Sequence, residues 1–247
     1  MNRKKFVLRT SNATTMNVII TGASKGIGKA IAEIFAANGY DLFLCSRGEA
    51  ALYKTMEELV TRFPGVTIKA RPFDLSRKED AVAFGNWCLS FDIPDILVNN
   101  AGLFEPGSVY NEPDGQLESQ IATNLYSAYH LTRTILPKMM ERKTGHVFNI
   151  CSIASLHAYT NGGAYSISKF AMYGFSKNLR EEMKPHGIKV TAVHPGAVLT
   201  DSWGDYDNSA KRIMEASDIA KMVYASSQLS MQACVEDIVI RPQLGDL

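Results

Sequence analysis

Seven short runs of apolar residues, rich in β-branched side chains, recur along the chain. Between them lie longer stretches in which apolar residues recur about every 3.6 residues, the period of an α-helix. Most of the runs are dominated by apolar residues, which is typical of strands that are buried on both faces. Such strands need helices on both sides of a parallel sheet. The sequence therefore predicts one doubly wound α/β domain with about seven parallel strands. The predicted strands span residues 17–22, 41–46, 66–73, 95–102, 145–152, 188–196 and 236–242, and the predicted helices span residues 25–39, 51–63, 78–91, 116–143, 163–184 and 217–227.

Composition narrows the class of protein. With 247 residues, 46% of them hydrophobic, the chain is long enough to bury a substantial core. A formal net charge of +1 does not indicate a nucleic acid or an anionic membrane as the partner. We find no run of about 18 apolar residues that would predict a membrane span. The histidines lack a paired metal-binding spacing, so metal catalysis is not expected.

The four cysteines are scattered without a CxxC pair, at Cys45, Cys88, Cys151 and Cys234. Three of them lie in or beside apolar runs, where a small buried side chain fits. We therefore expect reduced thiols in or near the core of a cytoplasmic protein, rather than disulfides or metal ligands.

The first fifteen residues differ from the rest of the chain. They carry four basic residues and no acidic one, and their short apolar patch is too small for a secretory signal. Because a strand pattern follows Met16 at once, we predict that residues 1–15 are a peripheral basic extension or that Met16 is the natural start. The predicted domain then spans residues 16–247.

A glycine-rich turn, TGASKGIG, connects the first predicted strand to the first predicted helix. Gly22 permits the sharp exit from the strand, Gly26 lets backbone N–H groups approach a pyrophosphate, and Gly28 lets the helix pack against the sheet. The helix N-terminus then presents unpaired N–H donors and the positive end of its dipole to the phosphates. This turn predicts a dinucleotide site.

The second predicted strand ends in Ser46 and Arg47, where a carboxylate would accept hydrogen bonds from the adenosine ribose of NAD. A guanidinium offers a planar fork to the oxygens of a 2′-phosphate, and Lys25 in the glycine turn adds a second positive charge. We therefore predict NADP(H) as the cofactor. The alternative is that Arg47 is a solvated arginine that follows a strand.

Tyr165 and Lys169 stand four residues apart in AYSISKFAM, within a predicted helix. They therefore share one face of the helix and can act on one target. A nearby ammonium favours the phenolate and lowers the tyrosine pKa from its usual value of about 10 towards the working pH, which suits a general acid. The alternative is a partly buried aromatic residue beside a surface amine.

With these two motifs, the chain from Met16 to Leu247 resembles the short-chain dehydrogenase/reductase family. TGASKGIG matches the TGxxxGxG turn of the family, NNAG at residues 99–102 its fourth-strand signature, and YSISK its YxxxK. Asn124, Ser152 and the segment PGAVLT at residues 195–200 follow in the expected order. PGAVLTDSWG and the ending EDIVIRPQLGDL are most similar to bacterial sepiapterin-reductase-like members, with 3-oxoacyl-carrier-protein reductases as near neighbours.

The resemblance implies a Rossmann-type fold and a catalytic set of Asn124, Ser152, Tyr165 and Lys169. It also implies that Asp74 contacts the adenine, that Thr200 contacts the nicotinamide carboxamide, and that Asn124 binds backbone groups and a water that returns protons to Lys169. The predicted cofactor-binding residues are Gly22, Ser24, Lys25, Gly26, Ile27, Gly28, Ser46, Arg47, Asp74, Leu75, Asn100, Ala101, Gly102, Tyr165, Lys169, Pro195, Gly196, Val198 and Thr200.

Two functions of different class fit these features. The first is an NADPH-dependent reductase that converts a small to medium polar ketone, pterin-like or oxoacyl, to an alcohol. Tyr165 would supply the proton, and Ser152 would offer the substrate oxygen an uncharged hydrogen-bond donor. The second is a non-catalytic NADP-binding regulator or assembly subunit on the same fold.

The substrate side is less defined by the sequence. We expect a flat or aromatic-tolerant pocket formed by Leu103, Phe104, Ile153, His157, Tyr159, Trp203 and Tyr206. An acid that could anchor a pterin is Asp201, Asp205 or Asp246. Residues 197–210 form either a substrate lid or an inert loop. The apolar helices at residues 116–143 and 163–184, together with the family resemblance, predict a homodimer or homotetramer.

Overall fold

Seven parallel strands form the central sheet of the computed structural model, which describes residues 15–200 and 203–245. The strands are β1 Asn17–Thr21, β2 Asp41–Ser46, β3 Ile68–Pro72, β4 Ile96–Asn99, β5 Gly145–Ile150, β6 Ile188–Pro195 and, after two short strands, β9 Asp237–Ile240. Their order in the sheet is β3-β2-β1-β4-β5-β6-β9, and each neighbouring pair is parallel. The predicted doubly wound sheet is confirmed.

Seven α-helices connect the strands within the described residues. They are α1 Gly26–Ala37, α2 Glu49–Arg62, α3 Lys78–Leu89, α4 Gln116–Ile121, α5 Ser127–Arg142, α6 Gly163–Met183 and α7 Ala216–Ser227. Helices α1, α2 and α7 pack on one face of the sheet, and α3, α5 and α6 pack on the other. The helices thus cover both faces, as the uninterrupted apolar strands require.

Strand β1 shows why the core has two halves. All five of its residues are buried. Val18 and Ile20 pack with Phe35 of α1 on one face, and Ile19 packs with Phe84 of α3 on the other. Successive side chains of a strand point to opposite faces. Complete burial of an aliphatic side chain stabilises the fold by about 1.5–3 kcal/mol, so Val18, Ile19 and Ile20 each contribute to one of the two apolar layers.

The predicted helix at residues 116–143 is not continuous. Between α4 and α5 lies one π-helical turn, Ala122–Tyr126. The wider turn shifts the register of the side chains, and Asn124 within it bonds backbone groups of a neighbouring loop instead of packing as an ordinary helix residue. Such turns are frequent at functional sites. Apolar spacing alone did not reveal it because the helical period resumes on either side.

The segment after β6 is tied to the rest of the fold at both ends. Strands β7 Val198–Leu199 and β8 Met214–Glu215 pair in parallel and form a small second sheet. Residues 1–14, nearly all of the predicted N-terminal extension, lie outside the described residues. The same is true of Asp201 and Asp246.

Strand order reverses between β1 and β4, because β1 runs on to β2 at one side and β4 to β5 at the other. In open α/β sheets, ligands bind beyond the carboxyl ends of the strands at such a point. Asn100 connects the two sides there: its Nδ2 donates to the carbonyl of Thr21 at 2.9 Å, and its backbone N–H donates to Thr21 Oγ1 at 2.9 Å. Hydrogen bonds thus link the carboxyl ends of β1 and β4 at the crevice.

Candidate active site

A cleft of about 1030 Å³ opens at the carboxyl ends of the strands, above the reversal of strand order. Residues from the ends of β1, β2, β4, β5 and β6 line it, together with the start of α6. Every predicted cofactor-binding residue except Gly28 is among them. The structure therefore brings residues from widely separated parts of the sequence to one surface.

The glycine turn follows β1 and has the backbone shape that was predicted. Gly22 and Gly26 have φ values of 63° and 56°, in the left-handed region that favours glycine. Gly28 lies behind the turn, where an added Cβ would stand 2.3 Å from the carbonyl oxygen of Gly22. Within residues 15–200 and 203–245, no side chain caps the first turn of α1. Bare backbone and helix N–H groups thus face the cleft, which fits a pyrophosphate.

The end of β2 supplies positive charge to the same cleft. Ser46 and Arg47 line it, and Arg47 is exposed. Among the described residues, none forms an ion pair or hydrogen bond with the Arg47 guanidinium. Asp74, after β3, accepts hydrogen bonds from the backbone N–H and the hydroxyl of Ser76, at 3.2 and 2.7 Å. The donor chemistry fits a nucleotide that carries an additional phosphate on its ribose.

Helix α6 carries Tyr165 and Lys169 to the cleft on the face predicted from their spacing. Lys169 is buried, with its Nζ 5.9 Å from the centroid of the Tyr165 ring. The ammonium donates to the carbonyl of Ile150, the last residue of β5, at 2.9 Å. This bond anchors the lysine to the sheet and leaves further Nζ hydrogens for other partners.

Ser152 lies in a tight turn directly after β5, where Ile153–Ser155 form a single 3₁₀ turn. Its Oγ accepts from the backbone N–H of Ala154 at 3.1 Å, and its backbone N–H donates to Ser155 Oγ at 3.1 Å. This reciprocal pair of bonds is a capping box. It holds the Ser152 side chain at the floor of the cleft, and the hydroxyl hydrogen stays available for another acceptor.

Asn124 does not line the cleft but stands directly behind it. Its Oδ1 accepts from Leu103 N at 2.7 Å, and its Nδ2 donates to Leu103 O at 2.9 Å and to Ser168 Oγ at 2.8 Å. A Cβ added to Gly102 would lie 3.3 Å from Asn124 Oδ1 and 3.6 Å from Lys169 Nζ. The backbone bonds match the implied role of Asn124, and the link through a water to Lys169 stays a prediction.

Burial shifts the pKa values of both Tyr165 and Lys169. It raises the pKa of Tyr165 above its usual value, and the Ser152 hydroxyl lowers that pKa in part. Burial lowers the pKa of Lys169. The sequence predicts a tyrosine pKa lowered towards the working pH, whereas in the structure the pKa is raised. The reason is that desolvation of the buried phenol outweighs the lowering influence of the Ser152 hydroxyl.

The substrate side of the cleft is aromatic. The Phe104 and Tyr165 rings meet edge to face, with centroids 4.8 Å apart. His157, Tyr159 and Trp203 also line the cleft, as do Leu103 and Ile153. Burial, with the nearby Tyr165, raises the pKa of Tyr159 to about 12, so this phenol is neutral at physiological pH.

Two predicted substrate residues lie elsewhere. Tyr206 and Asp205 are not part of the cleft surface. Tyr206 instead packs against Trp203, with ring centroids 5.2 Å apart, and so acts as a support for that wall. Trp203 places the segment after β7 at the edge of the cleft, and whether this segment closes as a lid stays a prediction.

Several cleft residues were not predicted from the sequence, among them Phe73, Ser76, Thr123, Ser127 and Arg241. Phe73 and Ser76 flank the predicted Asp74, so extension of that motif by two residues would have found them. Thr123 follows from the π-helical turn, which sequence spacing did not show. Arg241 stands one residue after β9, and an arginine in that position carries no distinguishing pattern.

The described residues contain no helix that could span a membrane and no cluster of three His, Cys, Asp or Glu side chains suited to a metal ion. Cys45, Cys88 and Cys151 are buried and Cys234 is half-buried, as expected for core or near-core thiols. Burial raises the pKa of Cys151, next to Ser152, to about 12, so its thiol is protonated and inert at neutral pH.

Comparison with known proteins matches residues 16–211 to the short chain dehydrogenase family model. Sepiapterin reductase of Chlorobaculum tepidum is 31% identical over 239 residues, covering 93% of this chain and 97% of that protein. An uncharacterized oxidoreductase of Staphylococcus saprophyticus is 29% identical and covers 91% of this chain and 96% of its own length.

Solved structures give the same result. A metagenomic short-chain oxidoreductase in complex with NADP superposes with a TM-score of 0.81 at 30% identity, covering 92% of this chain and 97% of that one. A short-chain dehydrogenase from Sphingobium yanoikuyae in complex with NADPH has a TM-score of 0.80 at 29% identity and covers 91% of this chain and 87% of its own. The chain belongs to the short-chain dehydrogenase/reductase family of oxidoreductases.

Proposed function

We propose that this protein is an NADP(H)-dependent reductase that converts a ketone to an alcohol, with Tyr165 as the proton donor. One observation carries the proposal: Ser152, Tyr165 and Lys169 lie together in the cleft that the glycine turn and Arg47 also line. A hydroxyl, a phenol and a buried ammonium are a set that can bind and protonate a carbonyl oxygen.

The cofactor would occupy the part of the cleft between the glycine turn and the end of β2. The N–H groups at the start of α1 would bind the pyrophosphate, and Arg47, with Ser46, the 2′-phosphate. Asn100 to Gly102 and Thr200 border the cleft further along and would bound the nicotinamide half. NADPH supplies the hydride that reaches the carbonyl carbon. Support for NADP(H) also comes from the structural relatives, several of which are complexes with NADP or NADPH.

Each residue of the catalytic set has one task in reduction. Ser152 donates its hydroxyl hydrogen to the substrate oxygen and so places that oxygen next to the phenol. Tyr165 then gives up its proton as negative charge develops on the same oxygen. Its raised pKa keeps the phenol protonated at neutral pH, which is the form that reduction needs. Lys169, fixed by the Ile150 carbonyl, stabilises the phenolate left behind.

Asn124 keeps this arrangement in place. It clamps both backbone groups of Leu103 and also bonds Ser168, which precedes Lys169 on α6. The loop that carries Phe104 and the helix that carries the catalytic pair are therefore tied together at one amide. We assign Asn124 the further task of binding a water that returns protons to Lys169.

For the substrate we propose a small to medium polar ketone with a flat or aromatic portion, pterin-like or oxoacyl. Phe104, His157, Tyr159 and Trp203 all line the cleft. Flat rings fit between such walls through offset or edge-to-face contacts. The identity of the sepiapterin reductase relative supports the pterin-like option.

We propose a homo-oligomer built on α5 and α6. Tyr129 of α5 and Ile167 and Phe170 of α6 are exposed, as is Tyr126 just before α5. Apolar side chains that gather on neighbouring helices mark an interaction surface. Light scattering of the purified protein should give a mass of two or four chains. A cytoplasmic location stays a prediction that rests on the four reduced cysteines.

A carbonyl panel with NADPH absorbance as the readout tests the proposed activity. The panel holds a pterin, a vicinal diketone and a 3-oxoacyl thioester. Turnover of at least one compound, reduced about 10²- to 10³-fold but still measurable in Ser152→Ala, supports the proposal. Tight NADPH binding with no turnover of any compound would favour the non-catalytic alternative.

A further inference from the structure

The imidazole of His194 stands between the catalytic turn and the edge of the sheet. His194 lies near the end of β6 and its side chain is completely buried. Its Nδ1 is 3.2 Å from the backbone carbonyl oxygen of Ser152, and its Nε2 is 3.3 Å from Asp237 Oδ1 on β9. Both partners are hydrogen-bond acceptors. Both contacts are therefore hydrogen bonds when each ring nitrogen carries a hydrogen.

The carbonyl that His194 contacts belongs to the turn that holds the catalytic serine. Ser152 O also accepts from the backbone N–H of Ser155 at 2.9 Å, which closes that turn. A second donor at the same oxygen restrains rotation of the peptide unit that follows Ser152. The direction of the Ser152 hydroxyl depends on this peptide unit, because its Oγ is bonded to Ala154 N in the same turn.

On its Nε2 side, the imidazole is connected to the protein surface by the ion pair of Asp237 with Lys177. Asp237 Oδ2 is 3.4 Å from Lys177 Nζ of α6, and both side chains are partly exposed. The Tyr173 ring, one helical turn earlier on α6, meets the His194 ring edge on with centroids 4.7 Å apart. The same helix that carries Tyr165 and Lys169 thus also holds the groups that fix His194 from outside.

A second buried histidine provides a contrast. His146 on β5 places its Nε2 2.7 Å from Thr191 Oγ1, and its Nδ1 has no partner among the described residues. Burial lowers the pKa of His146 to about 3, so this ring is neutral at pH 7. Nδ1 of His146 thus has no acceptor to bond, whereas Nδ1 of His194 faces the carbonyl oxygen of Ser152.

We propose that His194 is a positioning residue for Ser152: it donates from Nδ1 to the Ser152 carbonyl while Asp237, paired with Lys177, holds its Nε2. The kinetic consequences of this inference rest on the proposed reductase function. The hydrogen on Nδ1 of His194 does not depend on that function. His194 touches neither the cofactor region nor the substrate side of the cleft, because it is absent from the cleft surface. It acts only through the turn.

Two substitutions distinguish positioning from packing. His194→Phe keeps the ring and its volume but removes both nitrogens, whereas His194→Asn leaves a void but restores a donor near the Nδ1 position. We expect kcat to fall about fivefold in the phenylalanine variant with KM for NADPH unchanged, as for the loss of one hydrogen bond. The asparagine variant should recover kcat even though its melting temperature is lower. A purely structural histidine predicts the opposite order for kcat, which would overturn the proposal.

A double-substitution cycle tests the route of the effect. In a Ser152→Ala background, His194→Phe should cause no further loss of kcat, because the residue it positions is gone. An equal fivefold loss in both backgrounds would show that His194 acts elsewhere and would contradict the proposal.

The hydrogens themselves can be observed without turnover. In ¹⁵N-histidine-labelled wild-type protein at pH 7, Nδ1 of His194 should carry a hydrogen, whereas Nδ1 of His146 should be bare. Signals are assigned by their loss in His194→Phe and His146→Gln. A bare Nδ1 on His194 would overturn the inference even if the protein is an active reductase. Conversely, a protonated Nδ1 in a protein with no carbonyl turnover would leave the inference standing and refute the proposed function.

Discussion

The two ends of the central sheet use polar residues in opposite ways. At the amino ends of the strands, Asp95 accepts the backbone N–H of Asn17 at 2.7 Å and pairs with Arg142 at 3.1 Å. Arg142 also donates to the backbone carbonyl of Ile93 at 2.9 Å. The Asp95 carboxylate and the Arg142 guanidinium therefore bond mainly to neighbouring protein groups. At the carboxyl ends, Arg47, Ser152, Tyr165 and Lys169 line one open cleft.

The difference lies in where each hydrogen-bonding group is directed. Lys169 is bound by one backbone carbonyl and Ser152 by one backbone N–H, and each keeps hydrogens for a ligand. A closed network stabilises the fold, whereas a network anchored on one side only positions reactive groups. Substitutions at the carboxyl ends should therefore change turnover more than stability, and substitutions at the amino ends should do the reverse.

The largest expected effect is that of Tyr165→Phe. Removal of the phenol hydrogen removes the proton donor, so carbonyl turnover should fall by about 10²- to 10⁴-fold. NADPH affinity, measured by fluorescence titration, should stay unchanged because the ring and its contact with Phe104 remain. The free energy of unfolding should change by less than about 0.5 kcal/mol. Turnover within tenfold of the parent would remove Tyr165 from the role of acid.

Arg47→Asp should act on the choice of cofactor. The guanidinium would make charge-assisted hydrogen bonds to the 2′-phosphate, and a carboxylate repels it. KM for NADPH should rise about 10- to 100-fold, with KM for NADH lowered or unchanged. Arg62→Asp is the matched control, because Arg62 carries the same charge, pairs with Glu33 at 3.7 Å and lies outside the cleft. Equal use of both cofactors by the parent protein would contradict the assignment of Arg47.

At the amino ends, His146 should make the fold sensitive to acid. Its pKa is lowered from 6.5 to about 3, so below pH 6.5 the unfolded chain binds a proton that the folded chain does not. Stability is therefore complete above pH 6.5 and falls as the pH drops towards 3. Between pH 6.5 and pH 5, protonation of His146 in the unfolded chain lowers the free energy of unfolding by about 2 kcal/mol.

Urea unfolding of the parent and of His146→Gln at both pH values measures that contribution. The variant should lose about 2 kcal/mol less than the parent over this interval, and its kcat at pH 7 should be near that of the parent. Identical pH slopes for the two proteins would mean that His146 is not kept neutral by burial.

The smallest effect is expected on the substrate wall. Phe104→Ala removes the edge-to-face contact with Tyr165 and one aromatic surface of the cleft. Such a contact contributes about 0.5–1.5 kcal/mol, so KM for an aromatic ketone should rise about two- to tenfold while KM for an aliphatic ketone changes less. Phe91→Ala serves as control, since Phe91 is similarly exposed, at 48% against 41% for Phe104, and lies outside the cleft. Equal changes for both ketones would show that Phe104 does not sense the shape of the substrate.

Much of the predicted cofactor-binding part of the cleft could be predicted from the sequence, because its backbone conformation and close packing allow only glycine at certain positions. Gly22 and Gly26 occupy left-handed conformations, and Gly28 leaves no room for a side chain. The Tyr165–Lys169 pair follows from helical spacing alone. The pattern of apolar residues likewise predicted all seven strands of the main sheet, because each strand has at least one apolar face that packs against helices.

The substrate side was harder to predict because it depends on contacts between loops. The π-helical turn at Ala122–Tyr126 does not disturb the apolar spacing around it, so the place of Thr123 in the cleft was not foreseen. Tyr206 supports Trp203 instead of facing the cleft, which depends on how the chain turns after β7. The raised pKa of Tyr165 was not predicted, because burial of the phenol cannot be read from spacing.

Transfer of deuterium tests the central claim most directly. The parent protein is incubated with a vicinal diketone and with NADPH that carries deuterium at the transferring position, and the product alcohol is analysed by mass spectrometry and NMR. We predict one deuterium on the carbinol carbon, and little product from Tyr165→Phe under the same conditions. NADPH that binds and is never consumed, with no deuterium in any compound of the carbonyl panel, would contradict the reductase function and favour a non-catalytic NADP-binding protein.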